Sequence, residues 1–315
     1  VRKIAIAFLL LPLPMMAQEL PELLLDEDDP PPLFEKMPAG TFVRIDGDWI
    51  LCRGQLGQGD GPPGPNFRLD YRGRTYTSIA VFNNEAVELA LQGATNPGAL
   101  IEAEAMWRAG YADDPHFFAF NYNLARAYVL RRDFKQALFF AERSAAMMKK
   151  DYRLDLLLAS LYERLQHDVA AHLHYKEAVR KNPFSATALV ALAGYYARTE
   201  RESLAEDLLR RGMDRFETDR QLRLGLAELR YRQYRLNQAR ILVESIDVPK
   251  TERSSFALRR LLLMARLYDR IGDYRRSTIS YDELLANTAE PFFLDHSIEA
   301  LRRERSRVER LSKVD

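Results

Sequence analysis

The spacing of apolar side chains changes period along this chain, and each change predicts a different kind of element. From about residue 83 onward, apolar positions recur at three- and four-residue intervals, the stripe of an amphipathic helix with one buried face. Residues 41–82 read differently. TFVRIDGDWILC sets two short β-prone runs on either side of Asp46-Gly47, a two-residue turn that matches the twist of paired strands. NFRLDYRGRTYTSIAVF predicts a second hairpin turning at Arg72-Gly73. Its register puts Phe67, Leu69, Tyr71 and Tyr76 on one face and Arg68, Asp70, Thr75 and Thr77 on the other. GQLGQGDGPPGP between the hairpins predicts a loop.

Ahead of these, LLLDEDDPPPLFEKMPAG joins an acidic run to three prolines, and neither supports a packed helix, so residues 18–40 are expected to be a linker. Residues 1–17 place Arg2 and Lys3 before an apolar run and close on Ala17. That order predicts a secretory leader, and the run is shorter than the roughly 20 residues a membrane-spanning helix needs. No transmembrane segment is expected elsewhere. Cys52 is the single cysteine, which excludes an internal disulfide.

The helical region repeats itself. Leu124-Ala125, Leu158-Ala159, Leu192-Ala193 and Leu226-Ala227 follow one another every 34 residues. Four positions after each Leu stand Tyr128, Tyr162, Tyr196 and then Arg230, which breaks the aromatic series; nine further on stand Ala137, Ala171, Ala205 and Ala239. Met264-Ala265, Tyr268 and Ser277 form a fifth copy displaced by four residues, and Ala103, Trp107 and Pro115 mark a degenerate sixth unit that begins near Asn83. RDF at 132–134 and GDY at 272–274 are the expected turns within a unit, and Pro183 separates two units.

These residues resemble the tetratricopeptide-repeat family, whose 34-residue unit is two antiparallel helices with an L-G-x2-Y…A-x3-F…P pattern. The resemblance implies a mainly α fold: a right-handed α-solenoid of about five full helix pairs and one degenerate pair over residues 83–290, preceded by a small β-hairpin-rich module at 41–82. The early tryptophan of the family pattern is absent from the five copies, and the closing proline stands only at Pro183. After Pro291 an apolar stripe of Ile298, Leu301, Val308 and Leu311 beside many arginines predicts a basic helix over 291–315 that caps the exposed end.

In that family the first helix of each pair lines a concave groove that holds a partner segment. Carried over, the groove is expected at Tyr122, Asn123 and Arg126, at Arg153, Ser160, Glu163 and Arg164, and at Thr187 and Arg198. It continues through Gln221, Glu228 and Tyr231 to Arg259, Arg266 and Arg270. The planar guanidinium suits carboxylates, so an acidic partner is expected. The carboxylate clamp of chaperone-binding members needs Lys and Asn where Tyr122, Arg126, Leu157, Thr187 and Ala191 stand, so a chaperone-tail receptor is not expected.

Composition and motifs narrow the function. With 46 basic against 45 acidic side chains among 315 residues there is no global field of the kind that draws a protein to nucleic acid, and no nucleic-acid partner is expected. His172 and His174 lie two residues apart, so they point to different sides of a helix, and His167 falls in a turn; no metal site is expected. No phosphate-binding, dinucleotide, zinc-protease or serine-hydrolase motif is present, and no catalytic residue or cofactor is expected.

The expectation is a non-enzymatic protein-interaction scaffold of the bacterial cell envelope, exported to the periplasm. There it would support an outer-membrane, motility or secretion apparatus. A second reading makes the β-rich module a binder of cell-wall glycan, with Trp49, Tyr71 and Tyr76 as stacking platforms and the repeats as a spacer.

Overall fold

The computed structural model describes residues 18–19, 34–37, 41–45, 48–52, 67–92, 96–217, 219–249, 252, 254–287 and 298–313; the expected leader and the Gly/Pro-rich loop lie outside them. Both expected hairpins form. Strand β1 (Gln18–Glu19) pairs antiparallel with β3 (Asp48–Cys52), which pairs in turn with β2 (Thr41–Ile45), Ile45 opposite Asp48. Two residues of the expected linker therefore add a strand to the first hairpin. In the second, β4 (Leu69–Tyr71) and β5 (Arg74–Tyr76) pair Leu69 with Tyr76 and Asp70 with Thr75, the register expected from the sequence. Arg72 and Gly73 both take positive φ, 49° and 79°, as a twist-matched two-residue turn requires.

Among the described residues the helices come as six antiparallel pairs and a final single helix. They are α1 (Ile79–Gln92) with α2 (Pro97–Asp113), α3 (Phe118–Leu130) with α4 (Phe134–Met147), and α5 (Tyr152–Arg164) with α6 (Asp168–Lys181). Next come α7 (Ala186–Arg198) with α8 (Glu202–Arg215), α9 (Arg220–Arg232) with α10 (Leu236–Glu244), and α11 (Ser255–Ile271) with α12 (Tyr274–Asn287), before α13 (Ile298–Ser312). The first pair begins at Ile79, ahead of the Asn83 boundary expected from the sequence. Ser78 is the reason: its Oγ accepts from Val81 N at 3.3 Å, closing the first turn, and Ile79 and Phe82 then face the core together. The four-residue displacement of the fifth copy has a location too. Helix α11 runs 17 residues where α9 runs 13, so one turn is added at its start, and α10 is shortened to 9 residues.

From the second pair to the sixth, the turn between the two helices is the same. Arg132, Gln166, Glu200, Tyr234 and Gly272 are left-handed, φ 57° to 88°, and they recur with the repeat. At each turn the following N–H reaches back to the carbonyl of the helix residue five before it, as from Asp133 to Tyr128 at 3.0 Å and from His167 to Tyr162 at 2.8 Å. Only the last copy has the glycine that this conformation favours; the other four hold a Cβ where it crowds the backbone. First helices are capped at Asp151, Ser185, Asp219 and Ser254, whose side chains accept from the amide two or three residues on.

Packing is closest where the side chains are smallest. Ala137, Ala171, Ala205, Ala239 and Ser277 are all fully buried within their pairs, and Ser277 Oγ donates to Ala265 O at 2.7 Å. A second 34-residue series, Gly110, Ser144, Ala178 and Gly212, lies where a second helix meets the next pair. A Cβ on Gly110 would stand 2.5 Å from the Phe120 ring. The buried apolar residues accordingly form clusters strung along the array, each shared by neighbouring pairs.

The aromatic position of the repeat carries a polar tip to the preceding pair. Tyr162 Oη donates to Glu142 at 2.6 Å and Tyr268 Oη to Glu244 at 2.6 Å; Tyr196 Oη lies 3.3 Å from His172, and Tyr128 Oη accepts from Arg108. Arg230 explains its own irregularity. It spans the same interval and donates from both terminal nitrogens to Glu206 at 2.8 Å. The bond holds the Glu206 carboxyl at about 2, well below its usual range. At the far end, Ile298, Leu301 and Val308 of α13 cover α11 and α12, while Leu311 is 37% exposed.

Two outcomes are expected. Gln166→Gly raises stability to chemical denaturation by about 1 kcal/mol, because it relieves the left-handed residue; an unchanged or lower midpoint would contradict this. Arg230→Ala lowers stability by about 2 kcal/mol, less than loss of a fully buried pair because Glu206 reaches solvent, whereas Arg230→Tyr holds within about 1 kcal/mol. A folded-state value below the free carboxyl means that the Glu206 contribution is complete above about pH 4.5 and is lost as the pH falls toward 2. Acid titrations of Arg230→Tyr should lack that component.

Candidate functional site

The first helices of the pairs, α1, α3, α5, α7, α9 and α11, lie side by side and form the floor of one groove. Its N-terminal end holds a segment of the chain itself. Residues 34–37, Phe-Glu-Lys-Met, run across α1, α3 and α5 with their main chain bonded by side-chain amides. Glu35 N donates to Asn123 Oδ1 at 2.6 Å, and Glu35 O accepts from Asn123 Nδ2 at 3.0 Å and Asn83 Nδ2 at 2.9 Å. Two residues on, Met37 N donates to Asn84 Oδ1 at 2.7 Å and Met37 O accepts from Asn84 Nδ2 at 2.8 Å. Asn84 and Asn123 each take both the donor and the acceptor of one residue, as a neighbouring β-strand would. Asn83 Oδ1 accepts from Asn123 Nδ2 at 2.9 Å, which fixes the orientation of that buried pair.

Three of the four side chains of the segment are buried and one faces out. Phe34 and Met37 are buried, the Phe34 ring 5.1 Å from that of Trp107. Lys36 points outward and pairs with Glu88. Glu35 goes inward and is 2% exposed. It meets a charged cluster in which Arg153, also buried, donates from Nε to Asp151 at 2.8 Å and brings Nη1 to 3.9 Å from Glu35 Oε2. Burial lifts the Glu35 carboxyl to about 7; Arg153 draws it down by less, and Asp151 adds to the rise. Burial likewise pushes the Tyr122 phenol up to about 12.

Beyond α5 the groove is open among the described residues. A cavity of about 520 Å³ lies between α7, α9 and α11, with Val190, Ala193 and Leu262 among its apolar lining and Gly194 and Gly225 keeping its floor low. Ion pairs cross it from one first helix to the next: Arg198 to Glu163 at 2.8 Å and Arg259 to Glu228 at 2.7 Å. Arg266 reaches Glu304 of α13 at 3.2 Å, and Arg270 lies over the rings of Tyr231 and Tyr234 at 4.3 and 4.7 Å.

The expected groove residues thus fall into two sets. Tyr122, Asn123, Arg126 and Arg153 gather around Glu35, and Asn123 and Arg153 are spent on residues of the chain itself. Glu163, Arg198, Glu228, Tyr231, Arg259, Arg266 and Arg270 surround or flank the open cavity, with Gln221 in the first turn of α9 and Thr187 in that of α7.

Two expected residues stand apart. Ser160 Oγ donates to the carbonyl of Leu157 in its own helix at 2.8 Å, and the Arg164 guanidinium lies over the Phe134 ring at 5.1 Å. The expectation of arginines open to an acidic partner also needs correcting. Their glutamate partners stand more than 30 residues away in sequence, where inspection of a single repeat does not find them. Phe34, Glu35, Met37, Asn83 and Asn84 went unrecognised. Two adjacent asparagines inside a helix, where they are poor formers, were the available signal.

The glycan platforms fare differently. Tyr76 is buried with its ring edge-on to Phe82 at 4.8 Å, and Tyr71 meets the same ring at 5.8 Å, so both belong to the core beneath the hairpin. The side chain of Trp49 lies outside the described residues. The histidines are used in packing: His174 Nδ1 lies 3.0 Å from Asp155 Oδ1 of its own pair, and His172 stacks on Tyr195 of the next pair at 5.7 Å. Among the described residues no helix is long and apolar enough to cross a membrane, and no three His, Cys, Asp or Glu side chains cluster as a metal site.

No protein-family model matches the chain, and no curated protein sequence matches it. Solved structures do. A tetratricopeptide repeat protein from Parabacteroides merdae is 15% identical over 73% of this chain and 99% of its own, with a TM-score of 0.44. PilF of Pseudomonas aeruginosa is 16% identical over 73% and 97%, TM-score 0.45. Human IFIT1, solved as a dimer with PPP-AAAA, is 17% identical over 75% of this chain, TM-score 0.53; this chain spans 55% of its length. The 34-residue helix pairs, lined side by side by their first helices, make the fold that of the tetratricopeptide repeat, and the likenesses reach no further than the fold.

Docking of residues 34–37 is expected to depend on pH. The docked Glu35 value lies above the free one, so the docked state holds a proton that the free segment has lost; docking is strongest below about pH 4.5 and weakens as the pH rises through about 7. Hydrogen exchange at the Glu35 and Met37 amides, corrected for intrinsic rates, should show protection higher at pH 5 than at pH 8 by about tenfold or more. Glu35→Gln should flatten the profile. A flat profile in the parent chain would contradict the buried carboxyl.

Proposed function

We propose that this chain is a non-enzymatic scaffold of the bacterial cell envelope that holds an extended or helical segment of a partner protein along its groove. In that role it supports assembly or maintenance of an envelope machine such as an outer-membrane, motility or secretion apparatus. The observation that carries the groove reading is the amide-to-main-chain bonding of residues 34–37. Asparagines that address N–H and C=O recognise polypeptide as such, and hydrogen bonds of this kind supply affinity while the buried side chains supply choice. The open cavity continues the same floor, with apolar side chains between charged ones that can exchange partners. The envelope address is supported by the order of charge, apolar run and small residue over residues 1–17.

A photo-crosslinking amino acid at Tyr231, in the groove, should form a polypeptide adduct in the native bacterium, and one at Leu173, exposed on α6, should not. Adducts from Leu173 alone would contradict the groove reading. Release of the mature chain by osmotic shock would support the address; co-fractionation with cytosolic markers would contradict the address and leave the groove reading as it stands.

A further inference from the structure

The groove is half open and half filled, and what fills it is a sequence of definite chemistry. Four residues of the chain lie across the first helices, held by their main chain: an aromatic against Trp107, a buried acid beside Arg153, an outward residue at Glu88 and an apolar residue. Nothing in that set of contacts requires the ligand to belong to the same polypeptide, because every main-chain group it uses is common to all peptides. Four residues bury little surface for an independent fold element. Tethering offsets that, since a linked segment faces its site at an effective concentration on the order of millimolar. The acid is the weak point of the fit. Arg153 Nη1 is buried and makes no hydrogen bond among the described residues, and it stands 3.9 Å from the carboxylate, a separation that a better-placed acid would close.

We propose that the N-terminal end of the groove is a recognition site for an extended peptide of the order aromatic, acidic, any residue, apolar, supplied by a separate partner protein, and that residues 34–37 occupy it as a tethered competitor. The proposal rests on the groove reading above and adds to it the partner's sequence class and a reason for selectivity: a partner must displace the chain's own segment before it engages the whole groove. Lys36 is the residue that partners are freest to change, because it faces outward.

The test uses the full chain with Phe34→Ser and Met37→Ser, which removes both apolar anchors, and a fluorescent peptide of sequence PPLFEKMPAG added in trans. The emptied chain should bind the peptide at least tenfold more tightly than the parent, by anisotropy. Asn84→Ala in the emptied chain, or serine for the peptide's phenylalanine, should weaken binding about tenfold or more. No binding to an emptied chain that keeps its helical signal and cooperative melt overturns the proposal, as does equal binding to parent and emptied chains.

A second variant guards against loss of fold. With Cys52→Ser, Lys36→Cys and Glu88→Cys, a short bismaleimide joins two side chains that already touch, and the locked chain should bind the peptide at least tenfold more weakly than the unlinked one. Mixed parent and emptied chains that form a stable dimer by light scattering would overturn the choice of a separate partner in favour of a second copy. An adduct from Tyr231 that persists with unchanged yield when the segment is locked would overturn this inference while sustaining the groove reading.

Discussion

A pair of helices thirteen or fourteen residues long has one face it is unable to bury by itself, and the rest of this molecule follows from that constraint. Each pair hides its apolar side against the next, so the core is a chain of shared clusters with no single centre. Close approach then becomes the limiting requirement. The alanine series and the Gly110–Gly212 series meet it by removing side-chain bulk at the crossings, and the left-handed turn meets it by reversing the chain within a single residue. Polar tips reaching from each first helix to the preceding pair hold the stacking angle. That role tolerates tyrosine or arginine, provided the buried charge finds a carboxylate.

Stacking in one direction leaves the first helices adjacent, and their adjacency creates a face that no single repeat has. Side chains separated by about 40 residues, Asn83 and Asn123, become hydrogen-bonded neighbours over a shared carbonyl. The same geometry lets Glu163 reach Arg198 and Glu228 reach Arg259. The groove is therefore a property of the array. It carries ion pairs with apolar side chains between them, and at one end it holds residues 34–37 of the chain by their main chain.

Much of this was legible in the sequence because the repeat writes itself in residue type. Leu124-Ala125 and its copies located four first helices, and the Asp46-Gly47 and Arg72-Gly73 turns located two hairpins, since both signals are local consequences of packing or backbone twist. What escaped was non-local. FEKM lies in a proline-rich stretch with no periodicity, and nothing in those four letters says that Asn123, 88 residues away from Glu35, will complete their hydrogen bonds. The arginines were seen without their glutamates for the same reason. Asn123 and Arg153 were expected at the groove on the strength of a resemblance, and the structure puts them there with the site occupied.

The central claim is that the groove formed by the first helices holds polypeptide by its main chain, with residues 34–37 as its resident example. Selectively labelled full-length chain in solution addresses it most directly, through nuclear Overhauser contacts between the Phe34 ring and the Trp107 indole, whose centroids are 5.1 Å apart here. The account predicts strong cross-peaks between those rings, and their loss on Asn84→Ala with Asn123→Ala. Absence of the cross-peaks in the parent chain, with the Glu35 amide exchanging at its intrinsic rate, would contradict it.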